Sequence, residues 1–180
     1  MSQEKVEEPM IEATLKGSVA VVEDSSAIGE LEQSGYGERE GKKLTLKDYE
    51  ALYLLFSGRL ELKEHDANVT FNSLAERVQA ETRDAWTKFI IYRDLRSRGY
   101  IVKDGFGFGT DLRVYERGDF PVKAAKFVVF ALDEGTEREV GELNESVRQI
   151  IKMGKEAIVA VIERRGEVIY YKVSRANFRK

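Results

Sequence analysis

The sequence predicts a mixed α/β protein made of two modules: a small N-terminal α/β domain over residues 1–82 and a C-terminal α/β domain over 83–180 built on a largely antiparallel sheet. Three observations carry that prediction. In the first half, short β-branched runs alternate with segments whose apolar residues recur at helical spacing. A long helical stretch then ends at Gly99. Beyond it the pattern changes to short strands with one further helix among them.

The elements follow in order. Residues 11–22, "IEATLKGSVAVV", alternate and β-branch like a pair of strands. A short helix is expected over 24–34, before the glycine-punctuated "SGYGEREG". "LTLKDYEALYLLFSG" reads as a helix: Tyr49, Leu52, Tyr53 and Phe56 stand at i, i+3, i+4 and i+7, which predicts one buried face, and Gly58 stops it. "RLELKE" is a strand. The next helix repeats the spacing with Phe71, Leu74, Ala75 and Val78, capped by Asn72 or Ser73. A long helix from about Thr82 to Arg98 carries Trp86, Phe89, Ile90 and Leu95 over a wide arc, as expected of a helix packed on two sides and joining the halves. Five strands are then predicted, in "YIVKDG", "DLRVYER", "AKFVVFA", "AIVAVIE" and "EVIYYKV". One helix interrupts them, with Leu143, Val147, Ile150 and Ile151 along its apolar side, and "RRGE" makes a tight hairpin turn.

Composition narrows the function classes. A chain of 180 residues with 42% hydrophobic side chains can bury a sizeable core. There is no cysteine, which excludes thiol nucleophiles and zinc–thiolate sites and fits a reducing compartment. No apolar run reaches the roughly 18 residues of a membrane span, and "MSQEKVEEPM" has no apolar signal region, so the cytosol is the expected location. The net charge is −3, but from Arg148 onward nine Lys/Arg face three Glu, so the remainder is strongly acidic. That asymmetry suits either a basic face for a polyanion or a solvated surface.

"GFGFGTDLRVYERG", Gly105 to Gly118, holds four of the fifteen glycines. It is not a dinucleotide loop, because the strand-like "DLRVYER" stands where a helix must open, and no Lys-Ser/Thr pair makes it a P-loop. It reads as a glycine-rich turn between strands. The only histidine, His65, lies in the polar "KEHDANVT" and reads as a surface residue, so no Ser-His-Asp triad can assemble.

Four stretches together resemble an archaeal tRNA-splicing endonuclease subunit: "LTLKDYEALYLL", "YRDLRSRGYIVKDGFGFGTDLRVYERG", "AKFVVF" and "GELNESVRQIIKMGKEAIVAVIERRGEVIYY". The resemblance runs from about residue 11 to 173 and is most specific at "YxDLRxRGYIVKxGxxxGxDxRxYERG". It implies a C-terminal nuclease domain and four subunits or subunit-like units assembled as a dimer of dimers. The implied substrate is precursor tRNA folded into a bulge-helix-bulge. The implied reaction uses no metal and no cofactor. A ribose 2′-hydroxyl attacks the adjacent phosphodiester, leaving a 2′,3′-cyclic phosphate and a 5′-hydroxyl.

Position by position, the resemblance implies that Tyr115 is the base and Lys155 the stabiliser of the crowded, anionic transition state. A tyrosine, with a free pKa of about 10, needs a cationic neighbour to serve as a base. The family histidine, the acid for the leaving oxygen, falls on Ala124 in "PVKAAKF". The family's "AHSVRK"-like run reads "IIKMGK" here. These two departures imply a structural subunit beside a catalytic sister. The alternatives left open are a catalytic subunit inactivated by a His-to-Ala change, or a non-cutting RNA-binding module. The resemblance also implies that Arg148 and Tyr170 hold a bulge nucleotide, where stacking is worth about 1–3 kcal/mol per base. The acidic loop 132–142, with Asp133, Glu134, Glu137 and Glu139, is expected to enter a basic pocket on a neighbouring dimer.

Overall fold

The computed structural model describes residues 9–107, 111–133, 139–176 and 178. The chain forms two compact units, Met1–Arg83 and Asp84–Lys180.

In the N-terminal unit, β1 (Ile11–Lys16) and β2 (Val19–Val22) form the expected hairpin, turning at Gly17–Ser18. Along β1 every second residue faces inward, so Ile11, Ala13 and Leu15 are buried. Helix α1 (Ser25–Gln33) is capped by Asp24, whose carboxylate accepts the Ala27 N–H at 2.7 Å. The glycine-punctuated stretch that follows contains β3 (Glu38–Glu40), and β4 (Lys43–Leu46) occupies residues that the spacing assigned to the next helix. Helix α2 therefore begins later, at Asp48, and runs to Phe56. Its C-terminus closes where expected: Gly58, at φ +71°, donates to the Leu55 carbonyl, and the Arg59 N–H returns to Leu54.

Tyr49 and Leu52 are buried as predicted, but Phe56 is 55% exposed. The buried side of α2 runs instead through Tyr49, Ala51, Leu52 and Leu54, and Phe56 rests against Phe71 with ring centroids 5.9 Å apart. Strand β5 (Leu60–Glu64) meets the two-residue β6 (Ala67–Asn68) across a His65–Asp66 turn with both φ angles positive, which puts His65 at an exposed tip. Helix α3 (Phe71–Glu81) is capped by Thr70, which accepts from the Ser73 N–H, and not by Asn72 or Ser73. The sheet order is β3-β4-β2-β1-β5-β6, antiparallel apart from the β1/β5 pair.

Helix α4 (Ala85–Ser97) opens the C-terminal unit, three residues later than the spacing suggested. Its buried residues Ala85, Thr87, Phe89, Ile91, Tyr92 and Leu95 span a wide arc. The five predicted strands are all present: β7 (Ile101–Asp104), β8 (Asp111–Tyr115), β9 (Phe127–Asp133), β10 (Glu156–Ile162) and β11 (Val168–Val173). They form one sheet of order β11-β10-β9-β8-β7, with only β9/β10 parallel. That pair is parallel because helix α5 (Val140–Lys152) carries the chain back to the starting end.

The two helices cover opposite faces. On the α5 face, Val147 and Ile150 pack with Val128, Phe130, Ala157 and Val159. Burying each of the Val, Ile and Phe side chains stabilises by about 1.5–3 kcal/mol. On the α4 face, Leu95 shares a cleft with Val114, Phe127, Val129, Ile158 and Tyr170. Of the predicted α5 stripe, Leu143 is partly buried and Ile151 is 45% exposed.

Candidate active site

The register of β8, β9 and β10 brings three separate parts of the chain to one end of the sheet. Val114 pairs with Phe127, and Phe127 with Glu156. The residues just outside those pairs, Tyr115, Lys126 and Lys155, therefore lie side by side. Backbone bonds continue the match: the Lys126 N–H donates to the Val114 carbonyl at 3.0 Å, and the Glu156 N–H to the Lys126 carbonyl at 2.9 Å.

Tyr115 closes β8 and stands on the α5 face, with its ring edge-on to Phe120 at 5.1 Å. The chain then turns through residues 116–124 and returns with Ala124 exposed and Ala125 buried, directly before β9. Two ion pairs brace this turn, Lys123 with Asp119 at 2.7 Å and Lys126 with Glu116 at 2.8 Å. The carboxylates hold both ammonium groups above the ordinary lysine range. Lys155 follows the end of α5, and its N–H donates to the Ile150 carbonyl. Its ammonium donates to the Ala125 carbonyl at 2.5 Å and lies 5.5 Å from the centre of the Phe106 ring. The sheet thus gathers a phenol, an ammonium and a methyl group, and the methyl of Ala124 neither gives nor takes a proton.

The turn between β7 and β8 is fixed from within. Asp111, buried at the start of β8, accepts the Phe106 N–H at 2.7 Å. Gly105 sits so close that an added Cβ would lie 2.0 Å from an Asp111 carboxylate oxygen, so only glycine fits. The Phe106 ring also lies 5.6 Å from the Arg113 guanidinium. Reading the sequence singled out neither Phe106 nor Arg113. The available signal was the period of two along β8, which puts Arg113 and Tyr115 on one face.

Residues 85–170 match the catalytic C-terminal domain of tRNA intron endonucleases, and residues 11–75 match the N-terminal domain of the same enzymes. A tRNA-splicing endonuclease of Pyrococcus furiosus is 32% identical over 170 residues, covering 94% of this chain and 98% of that protein. The chain belongs to the tRNA-splicing endonuclease family. A second endonuclease of this name, from Methanococcus vannielii, is 30% identical over 89% of this chain and 92% of its own length. The one from Methanosarcina acetivorans is 33% identical over 87% of this chain, which spans only 45% of that endonuclease.

The remaining positions that the resemblance to this endonuclease family points to are more scattered. Arg148 is exposed on α5 and pairs with Glu145 at 3.4 Å. Tyr170 lies on the other face of the sheet, where its hydroxyl donates to an Asp94 oxygen at 2.7 Å and the Arg98 guanidinium sits 5.7 Å from its ring. Burial first, and the Asp94 carboxylate second, hold the Tyr170 phenol far above its ordinary range, so it stays protonated. The sheet separates Arg148 from Tyr170 within one chain. Asp133 ends β9, and Glu139 is the exposed N-cap of α5. Glu134 and Glu137 lie outside the described residues. Among the described residues no group of His, Asp and Glu is placed to hold a metal ion, and no helix is long and apolar enough to cross a membrane.

One outcome follows from the Tyr170 contact. Tyr170→Phe deletes a hydrogen bond to a carboxylate and should lower stability by about 1–2 kcal/mol, read as a lower denaturant midpoint at unchanged slope.

Proposed function

We propose that this chain is the structural subunit of a tRNA-splicing endonuclease. Its assembly cuts precursor tRNA at bulge-helix-bulge introns, by attack of a 2′-hydroxyl on the adjacent phosphodiester, without metal or cofactor. In a complete site of this kind the tyrosine takes the 2′-hydroxyl proton, the lysine stabilises the charge of the transition state, and an acid protonates the departing 5′-oxygen. The observation that carries the structural assignment is Ala124. It stands exposed at the end of the sheet where Tyr115 and Lys155 meet, and it has no proton to give. Tyr115 and Lys155 are still at one sheet end, which favours a second reading: a catalytic subunit that has lost only its acid.

The deciding experiment is reconstitution. A histidine-bearing sister chain should co-purify with this one, and the mixture should cut bulge-helix-bulge RNA in the presence of a chelator. A purified chain that binds no sister and cuts the RNA unaided would end the structural reading. In this reading Arg148 and Tyr170 are the RNA contacts for a bulge nucleotide.

The acidic segment around Asp133, Glu134, Glu137 and Glu139 is the proposed contact between dimers. A carboxylate leaves water readily only for a cation, so such a contact selects its partner. Replacing Asp133 and Glu134 together by Lys should weaken the dimer of dimers by about tenfold or more in sedimentation, with the fold intact.

A further inference from the structure

We infer that Arg113 is a second phosphate-binding cation of the Tyr115–Lys155 site, taking an RNA phosphodiester beside the one that Lys155 faces. The inference rests on the reading of that sheet end as an RNA site and names a residue for it.

Arg113 stands two residues before Tyr115 on β8, so the two side chains rise from the same face about 7 Å apart. Its Nε is buried and has no hydrogen-bond acceptor. Arg113 also has no carboxylate partner among the described residues, and Lys155 has none either. The lysines at the rim of the same site, Lys123 and Lys126, are both ion-paired. Asp111, the carboxylate two residues upstream on the same face, is occupied by the Phe106 N–H. A half-buried guanidinium with no carboxylate beside it among the described residues is costly to keep unless an anion meets it.

Phe106 ties these two cations together. Its ring centre lies 5.6 Å from the Arg113 guanidinium and 5.5 Å from the Lys155 ammonium, so the two charges are at most about 11 Å apart. Both distances are within cation–π range, and the backbone under the ring is fixed by Asp111 and Gly105. Two cations held by one aromatic ring beside a phenol suit a polyanion backbone: a phosphate can meet the guanidinium, which has no carboxylate among the described residues, and the ring, 38% exposed, offers a base a face.

The test uses the full-length chain and a bulge-helix-bulge RNA made uncleavable by 2′-deoxy substitution at the cut positions, with affinity measured across a range of salt. Arg113→Gln should bind more weakly and flatten the log–log salt slope by about 0.7–0.9, the signature of one lost phosphate contact. Arg113→Lys should keep the slope and lose only affinity, because the charge survives without the fork. If Lys155→Gln flattens the slope and Arg113→Gln does not, Arg113 is a packing residue and the inference is overturned while the site stands. If neither flattens it, RNA does not bind at this sheet end at all. Should Arg113→Gln fail to fold, wild-type protein still answers: the Arg113 Nε–H resonance should move on adding the RNA, and a stationary signal overturns the inference.

Discussion

Given a bulge-helix-bulge RNA and no partner, this chain should leave it essentially uncut. A general acid contributes about 10²–10⁴-fold to such a step. With Ala124 at the acid position, the single-turnover rate should fall short of a histidine-bearing relative by about that factor. Ala124→His sharpens the result. The position is exposed and lies outside the packed core, so the substitution should change stability by no more than about 0.5 kcal/mol. Any gain in rate can then be read as chemistry and not as refolding. A structural subunit should stay slow after the change, because the run before Lys155, "IIKMGK", departs from the family's as well. Recovery of most of the missing rate would instead identify a catalytic subunit that has lost its acid.

The second large effect concerns stability, in the N-terminal unit. Glu50 is 1% exposed, yet it is a carboxylate. It is tolerated because one oxygen accepts the Gly37 N–H at 3.1 Å and the other the Lys47 N–H, at the start of α2, at 2.9 Å. It ties the stretch before β3 to the first turn of α2. Glu50→Ala removes both acceptors and leaves two amides facing each other across a void, at a cost of about 2–4 kcal/mol. Glu50→Gln keeps one acceptor and should cost roughly half as much. Chemical denaturation of the three proteins checks the order, and equal midpoints for wild type and Glu50→Ala would show that the two amides find other partners.

Much of the fold was legible because it obeys the period of its own backbone. The C-terminal strands are short β-branched and aromatic runs, nearly continuous in β9 and β10 because both faces of those strands are covered, and α3 and α5 carry their apolar residues at helical spacing. The strands that escaped notice are those without such a signature. Every residue of "ERE" in β3 and of "AN" in β6 is exposed, and they are strands only because β4 and β5 pair with them. β4 was hidden for another reason: Leu44 and Leu46 suit the helix that follows as well as a strand, and pairing with β2 decides the matter. Phe56 shows the limit of spacing alone. It has the right interval for the buried face, but it lies in the last turn of α2, where the core has already ended.

The candidate site was less legible. Tyr115, Ala124 and Lys155 were indicated by resemblance, and what draws them together is the register of three strands, which no local pattern reveals. Adjacent Tyr170 and Tyr171 must point to opposite faces, but only the Tyr170↔Ala160 pairing turns the first of them toward α4. Arg113 was passed over because an arginine in a strand looks like an ordinary solvated position until the described residues show no carboxylate beside it.

The parallel pairing of β9 with β10 has a consequence for the order in which the protein is made. By the time Arg83 has been synthesised, the N-terminal unit possesses every one of its strands and helices. The C-terminal sheet has no such early completion. Its first three strands, β7 to β9, can pair as soon as they emerge, but β10 arrives only after the whole of α5. During that interval Val128, Val129 and Phe130 lie along an open border of the growing sheet, the kind of border that invites pairing with a foreign strand. The strand at the centre of the finished unit is, on the ribosome, its exposed edge.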